Sequence, residues 1–463
     1  MVSPPAAVER FVTENSDRFL KELIELLRIP SISTLPAHKA DMRRAFDFLA
    51  AQMRAIGLEH VQALLPPEWP DGNPLLYADW LHAPGAPTVL FYGHYDVQPP
   101  DPIAEWTSPP FEPVVRNGNL YARGATDDKG QMFAQLKAVQ AWMQSGTKLP
   151  VNVKFLIEGE EEVGGAAIDA YVRHNHEALA CDCAVVCDTA MYAPGLPSLD
   201  VGLRGMVYAE VEVRGAARDL HSGVYGGVAP NPFDALAHVI AGLKDQQGSI
   251  LIPGFYDRVT APSEQELEAW KRLPFVEDEY RRHEVGSIEL IGEPGYSVLE
   301  RTWARPTLEV HGMPGGFTGP GSKTVIPARA SAKISMRLVP DQRPAEIFEQ
   351  FVATVKRLVP PAYRCDVQLL HTGDPVVVDT RNRFVEAATA ALRATFGAEP
   401  VFIRSGGSIP VVSLIGAELK APVVLMGFGL PDDGLHGPDE KFAVANFSSG
   451  IRALARFLGA VAA

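Results

Sequence analysis

Long apolar runs are missing from this sequence. No stretch of about 20 apolar residues, the length a helix needs to span a bilayer, occurs anywhere in the 463 residues. That argues against a membrane-spanning helix. Cysteine is scarce: four in the chain are too few to staple a fold of this size. Cys181, Cys183 and Cys187 cluster, but the two-residue CxxC spacing of a metal knuckle is absent. Cys183 and Cys187 share one face of an expected strand and read as small core residues rather than metal ligands. A reducing cytoplasm is the expected compartment. Basic charge is in deficit, with 42 Lys and Arg against 56 Asp and Glu and a formal net charge of −14. General nucleic-acid binding, which needs a basic footprint, is therefore not expected. Met1 to Arg10 lacks a basic start followed by an apolar run, so no signal peptide is expected. Internal repeats and low-complexity segments are absent too.

What is present suits a large globular protein. Hydrophobic residues make up 46% and charged residues 21%, enough to bury a core and too apolar for disorder. The length suggests two or three domains. Phe19, Leu20, Leu23, Ile24 and Leu27 fall at helical spacing before Pro30. Residues 41–56 repeat the pattern, with Gly57 placed as a C-cap. Strands expected at Val89–Tyr92, Val153–Ile157 and Ala184–Cys187 then alternate with helices at 131–143 and 166–178. Such alternation implies a mostly parallel sheet covered on both faces. Near residue 203 the pattern changes. Val207, Ala209, Val211 and Val213 alternate with polar residues, as do Ile334, Met336 and Leu338, which predicts an antiparallel sheet with helix 344–358 over its buried side. Residues 245–320 read as a loop-rich insertion. After about 375 the first style returns, with a helix at 382–396, a strand at Pro422–Met426 and a helix at 444–459. The fold class expected is α/β: a catalytic domain of residues 1–202 and 376–463, interrupted by an inserted α+β domain of residues 203–375.

Chemistry-bearing residues fall at the ends of these strands. His94 and Asp96, in Gly93-His-Tyr-Asp96, follow a buried strand and can approach one site from the same side. Imidazole suits zinc, and a carboxylate often orients a ligating histidine; a polar loop is the plainer reading. Asp127 and Asp128 precede a helix, where they can cap it or hold metal. Glu158 to Glu162 follow a strand at the sheet edge where open α/β folds bind ligands. They are either a solvated acidic face or a ligand and a base side by side. Asp188 ends another strand and reads as a turn residue or a ligand; His436 is a loop histidine or a ligand. Together these five separated segments offer metal-compatible groups at one sheet edge.

Longer motifs sharpen the reading. Tyr92-Gly-His-Tyr-Asp-Val-Gln-Pro99, Arg123-Gly-Ala-Thr-Asp-Asp-Lys-Gly130, Glu158 to Gly165 and Asp219-Leu-His-Ser-Gly-Val-Tyr-Gly-Gly227 run in order along the chain. Lys323-Thr-Val-Ile-Pro327, Arg337-Leu-Val-Pro340, Gly406-Gly-Ser-Ile-Pro410 and Asp432-Asp-Gly-Leu-His436 follow them. The set resembles the M20 metallopeptidases, and within them the dipeptidase branch of carnosinases and cytosolic non-specific dipeptidases.

The resemblance implies a two-metal aminopeptidase-like catalytic domain interrupted by a lid and dimerisation domain. Two divalent ions, zinc first with manganese or cobalt as alternatives, would be held by His94 and Asp188 on one side and Glu162 and His436 on the other. Asp127 would bridge them, with a cis peptide bond to Asp128. Asp96 would clamp His94, and Glu161 would be the general base. His221 would act in the active site of a partner subunit, which implies a homodimer. Thr324, Arg337 and Ser408 would hold a small peptide substrate, with Arg337 on its terminal carboxylate, a task that suits a planar bidentate fork. One position departs from the branch: Ser405 stands before Gly406-Gly407-Ser408 where Glu is common, which bears on recognition of the substrate's amino end. An N-acyl-amino-acid deacylase is the alternative enzyme, and a non-catalytic peptide-binding relative the alternative of another class.

Overall fold

A computed structural model describes residues 4–407 and 409–462. Four apolar segments pair in parallel at the centre of a sheet, in the spatial order Asn152–Glu158, Thr88–His94, Cys183–Val186 and Val423–Leu425. Their residues are almost all buried, which is why they read as unbroken apolar runs rather than alternating ones. Antiparallel strands extend this parallel centre. Leu75–Trp80 pairs with Asn152–Glu158, Glu59–Leu64 lies outside it, and Asp200 pairs with Leu425 on the other margin.

Helices Ala6–Leu27, Lys129–Gln144, Arg383–Phe396 and Val444–Val461 pack on one another. Lys39–Ile56 ends on Gly57 at φ 100°, the left-handed C-cap that glycine favours. Lys129–Gln144 is buried on nearly every side, polar residues included. Those polar side chains find partners: Gln135 Nε2 donates to Tyr92 O at 2.9 Å, and Lys137 Nζ pairs with Glu22 at 2.6 Å. The helix expected at 166–178 stops at His174, because Asn175 leaves helical backbone and its side-chain amide donates back to Tyr171 O.

The chain divides into two units, Met1–Val201 with Val378–Ile403 and Pro410–Ala463, and Gly202–Val377 with Arg404–Ile409. The second holds a four-stranded antiparallel sheet in the order Thr307–Gly312, Arg329–Leu338, Gly205–Arg214, Arg364–Gly373. Gly205–Arg214 alternates buried and part-exposed residues, as its sequence pattern implies. Its buried face packs against helices Pro232–Leu243 and Pro344–Leu358 around Val211, Leu236, Ile334 and Phe351. Phe351 is fully buried there. Phe351→Ala is expected to cost about 3–5 kcal/mol by removing the ring and leaving a cavity. Denaturant unfolding measures it, and a loss under 1 kcal/mol would show that this core is not packed as described.

Residues 245–320 hold more regular structure than a loop-rich insertion. Thr307–Gly312 is an edge strand, and Glu264–Lys271 and Val298–Trp303 are short helices. Both helices open on capping boxes, Ser263 with Glu266 and Ser297 with Glu300, a Ser-x-x-Glu signal that stands in the sequence. Among the described residues no helix is long and apolar enough to cross a membrane.

Candidate metal centre

Parallel strands end together, so the residues that follow them meet at one edge of the sheet. His94 closes its strand and pairs in register with Glu158. Its ring is fully buried. Nδ1 lies 3.1 Å from Asp96 O and 3.4 Å from Asp96 Oδ1. Nε2 points the other way, 3.2 Å from Asp127 Oδ1 and 3.8 Å from Asp188 Oδ2, and makes no hydrogen bond. His94, Asp127 and Asp188 thus form one group with ligand atoms within 4.8 Å of one another.

A second group of the same kind comprises Asp127, Glu162 and His436. His436 Nε2 lies 2.9 Å from Asp127 Oδ2 and 3.5 Å from Glu162 Oε2. His436 takes a left-handed backbone, φ 60°, on the loop that follows strand Val423–Leu425. Asp127 is shared, with one oxygen toward each histidine. The peptide bond between Asp127 and Asp128 is cis. Asp128 stands at the N-cap of helix Lys129–Gln144 but makes no capping bond, and its Oδ2 accepts from His94 N at 3.2 Å. Capping is therefore not its work.

The acidic run that begins at Glu158, the last residue of strand Asn152–Glu158, splits three ways. Glu158 accepts from Tyr92 OH at 2.5 Å, and Glu160 from Asn73 N at 2.7 Å. Glu161 and Glu162 turn into the centre on a single 3-10 turn, Glu161–Val163, closed by Gly164 at φ 100°. Asp96 holds that turn: Oδ1 accepts from Glu161 N at 3.3 Å and Oδ2 from Glu162 N at 3.1 Å. Asp96 thus braces both sides, its carbonyl at the His94 ring and its carboxylate at the two glutamates.

The electrostatics describe a place built for positive charge. Burial, then the negative charge of Asp127, pushes the Glu162 carboxyl up to about 8. Burial with Asp127 and Asp128 lifts Asp188 well above the carboxylate range. Burial raises Glu161 as well, with Asp127 and Asp96 adding to it against the pull of His94. Asp127 is held low despite burial by the adjacent imidazoles of His436 and His94. The neighbouring carboxylates, Asp127 first, raise His436 to about 8, and raise His94 well above its usual value although burial opposes this. A site that draws protons onto histidines and carboxylates alike draws cations. The unpartnered buried Nε2 of His94, aimed between two carboxylates, fits a metal ligand. No cysteine belongs to either group; all four are free, and Cys183 and Cys187 are buried in the core.

The other candidate residues lie in the second unit. His221 is exposed, on the two-residue strand Leu220–His221 paired to Val325–Ile326, and its Nδ1 accepts from Gly223 N at 3.0 Å. Thr324 is its near neighbour, with Ser222 N donating to Thr324 O at 3.1 Å. Arg337 is half-buried on strand Arg329–Leu338, opposite Met206 and Thr307. Ser408 lies outside the described residues. Ser405 Oγ accepts from Gly407 N at 3.2 Å.

The family model for peptidase family M20/M25/M40 matches residues 90–460. The chain belongs to that family. This M20 peptidase is 32% identical to the Beta-Ala-His dipeptidase of Homo sapiens, over 98% of this chain and 92% of the relative. It is 32% identical to the Cys-Gly metallodipeptidase of Candida albicans, over 96% and 95%. Among solved structures, the di-peptidase Dug1p of Saccharomyces cerevisiae superposes with a TM-score of 0.89 at 30% identity, over 100% and 99% of the two chains.

Several residues of the centre carry no role in the sequence reading. Gln98 Nε2 donates to Glu162 Oε2 at 2.7 Å, and Thr126 Oγ1 donates to Asp433 Oδ2 at 2.9 Å. Glu440 is buried beneath the loop that carries Asp127. Gln98 and Asp433 stand inside quoted motifs, next to the residues that drew attention. Glu440 lies beyond the last motif, in a charged run that reads as solvated.

Proposed function

We propose that this chain is a metal-dependent dipeptidase, hydrolysing the peptide bond of small peptides. One observation carries the reading: Asp127 offers one oxygen to each of two cation-binding groups. His94 and Asp188 would hold one divalent cation, and Glu162 and His436 the other. Mixed imidazole and carboxylate donors suit zinc first, with manganese or cobalt as alternatives. Bound cations supply Lewis acidity and lower the pKa of water from about 15.7 toward about 7.

Glu161 is the general base. Its part-buried carboxyl lies in the field of His94, Asp127 and Asp96, yet it belongs to neither ligand group. It takes the proton of the attacking water and delivers it to the leaving amine. Asp96 positions His94 and the Glu161–Glu162 turn. His221 of the partner subunit steadies the developing oxyanion in a homodimer. Thr324, Arg337 and Ser408 hold the substrate, with Arg337 on its carboxylate. Residues 203–375 serve as the lid and dimerisation domain, and residues 1–202 with 376–463 as the catalytic one. Four free cysteines support a reducing cytoplasm.

The test is hydrolysis of dipeptides, N-acetyl amino acids and longer peptides by metal-stripped protein, with and without added Zn²⁺ or Mn²⁺. Metal-restored cleavage confined to dipeptides is expected. A preference for acetylated substrates would make the chain a deacylase, and silence with every substrate and metal would leave a peptide-binding relative.

A further inference from the structure

Glu440 is not a candidate ligand, yet its surroundings tie the two halves of the centre together. Its carboxylate is fully buried and has a donor at every acceptor position. Oε2 accepts from Arg123 Nη1 at 2.7 Å and from Gly124 N at 2.9 Å. Oε1 accepts from Thr126 N at 3.0 Å and from Asp127 N at 3.1 Å. A carboxylate offers about four such positions, and here one loop, 123–127, fills them all. The backbone adds to the attachment, with Ala122 N donating to Glu440 O at 3.0 Å.

The spacing gives this clamp its meaning. Glu440 follows His436 by four residues. One end of that segment places an imidazole 2.9 Å from Asp127 Oδ2, and the other end holds the N–H of the same Asp127. Thr107 secures the residue before Glu440, its N–H donating to Asp439 Oδ1 at 2.9 Å. The two loops come from chain segments more than 300 residues apart, so their mutual position is not set by local geometry. A buried ion pair is a weak source of stability compared with an apolar replacement. Its geometric effect is the better explanation for placing Arg123 and Glu440 here.

We propose that Glu440 is a positioning residue that fixes Asp127 relative to His436, and thereby sets the affinity of the centre for divalent cations. The proposal rests on the reading of Asp127 and His436 as ligands. Glu440→Gln is the sharpest probe. Whichever way the amide turns, its NH₂ faces two N–H donors, so two of the four bonds are lost and the loop must shift. Glu440→Asp keeps the charge opposite Arg123 but withdraws the oxygens by one methylene.

The measurement is titration of metal-stripped protein with Zn²⁺ and Mn²⁺, alongside turnover at rising metal concentration and circular dichroism of each variant. Glu440→Gln is expected to bind metal about 10–100-fold more weakly. Its turnover should recover as metal is raised, with KM near that of the parent. Glu440→Asp should fall between the two, and it decides the matter if the Gln variant does not fold. Folded variants that bind metal as tightly as the parent, or whose lost turnover no metal concentration restores, would overturn the proposal while leaving the dipeptidase reading intact. A parent protein that binds no divalent cation would sink both.

Discussion

Glu161→Ala is expected to lower turnover by at least about 100-fold while the protein keeps both cations. The two halves of this result come from different features. Glu161 contributes to neither ligand group, so its loss leaves His94, Asp127, Asp188, Glu162 and His436 in place. Its backbone N–H, not its side chain, is what Asp96 holds, so the turn survives the substitution. What disappears is the part-buried carboxyl beside the two groups. In the metal-free chain burial raises that carboxyl above its usual range, with Asp127 and Asp96 adding to it. The adjacent residue is the internal control. Glu162 lies 3.5 Å from His436 Nε2, so Glu162→Ala should lose metal as well as turnover. Elemental analysis with steady-state kinetics separates the pair. Near-normal turnover in Glu161→Ala would remove it from the role of base, and metal loss in that variant would make it a ligand.

That contrast between neighbours shows where sequence reading works and where it stops. That His94 and Asp188 meet at one sheet edge is legible in the sequence, because each stands at the end of a buried apolar run and parallel strands deliver their C-terminal ends to one edge. The separate placement of the side chains within Glu158–Glu162 is not legible from periodicity, because it depends on a single 3-10 turn and on Asp96 binding two consecutive N–H groups. Glu440 was invisible for a different reason. Its partners lie 313 to 317 residues away, and nothing local distinguishes a buried glutamate in a Pro-Asp-Glu-Lys run from a solvated one. Edge strands were lost to weak patterning. Arg364–Gly373 exposes most of its residues and carries an irregularity between Leu369 and His371 that breaks the alternation. By contrast Gly205–Arg214, central in the same sheet, alternates along its length and was read directly.

Stripping the cations is expected to leave a protein whose stability falls as pH rises from about 5 to 8, and restoring them is expected to reverse that trend. In the metal-free chain burial and then mutual repulsion hold Glu162 at about 8, far above its ordinary 4.5, and raise Asp188 well above its ordinary 3.8. Across this window the folded state binds more protons than the unfolded one, so stability drops with rising pH and levels off above the folded values. His436, raised to about 8 by Asp127, adds to the trend: its contribution is whole below 6.5 and is lost as pH passes 8. Asp127 runs the opposite way, but its stabilisation is lost only in acid below 3.8, outside the window. Each pKa unit corresponds to about 1.4 kcal/mol, so a loss of a few kcal/mol is expected. Cations invert the dependence because the carboxylates must ionise and the histidines must lose their protons to bind them. At about 1,000 times Kd the ligand itself adds about 4 kcal/mol. Calorimetry at pH 5.5 and pH 8, with and without Zn²⁺ or Mn²⁺, reads both effects as shifts in Tm. A stripped protein equally stable at both pH values would show that these carboxylates are not crowded as the geometry has them. A Tm unmoved by either metal at pH 8 would mean that the two groups joined by Asp127 do not hold cations.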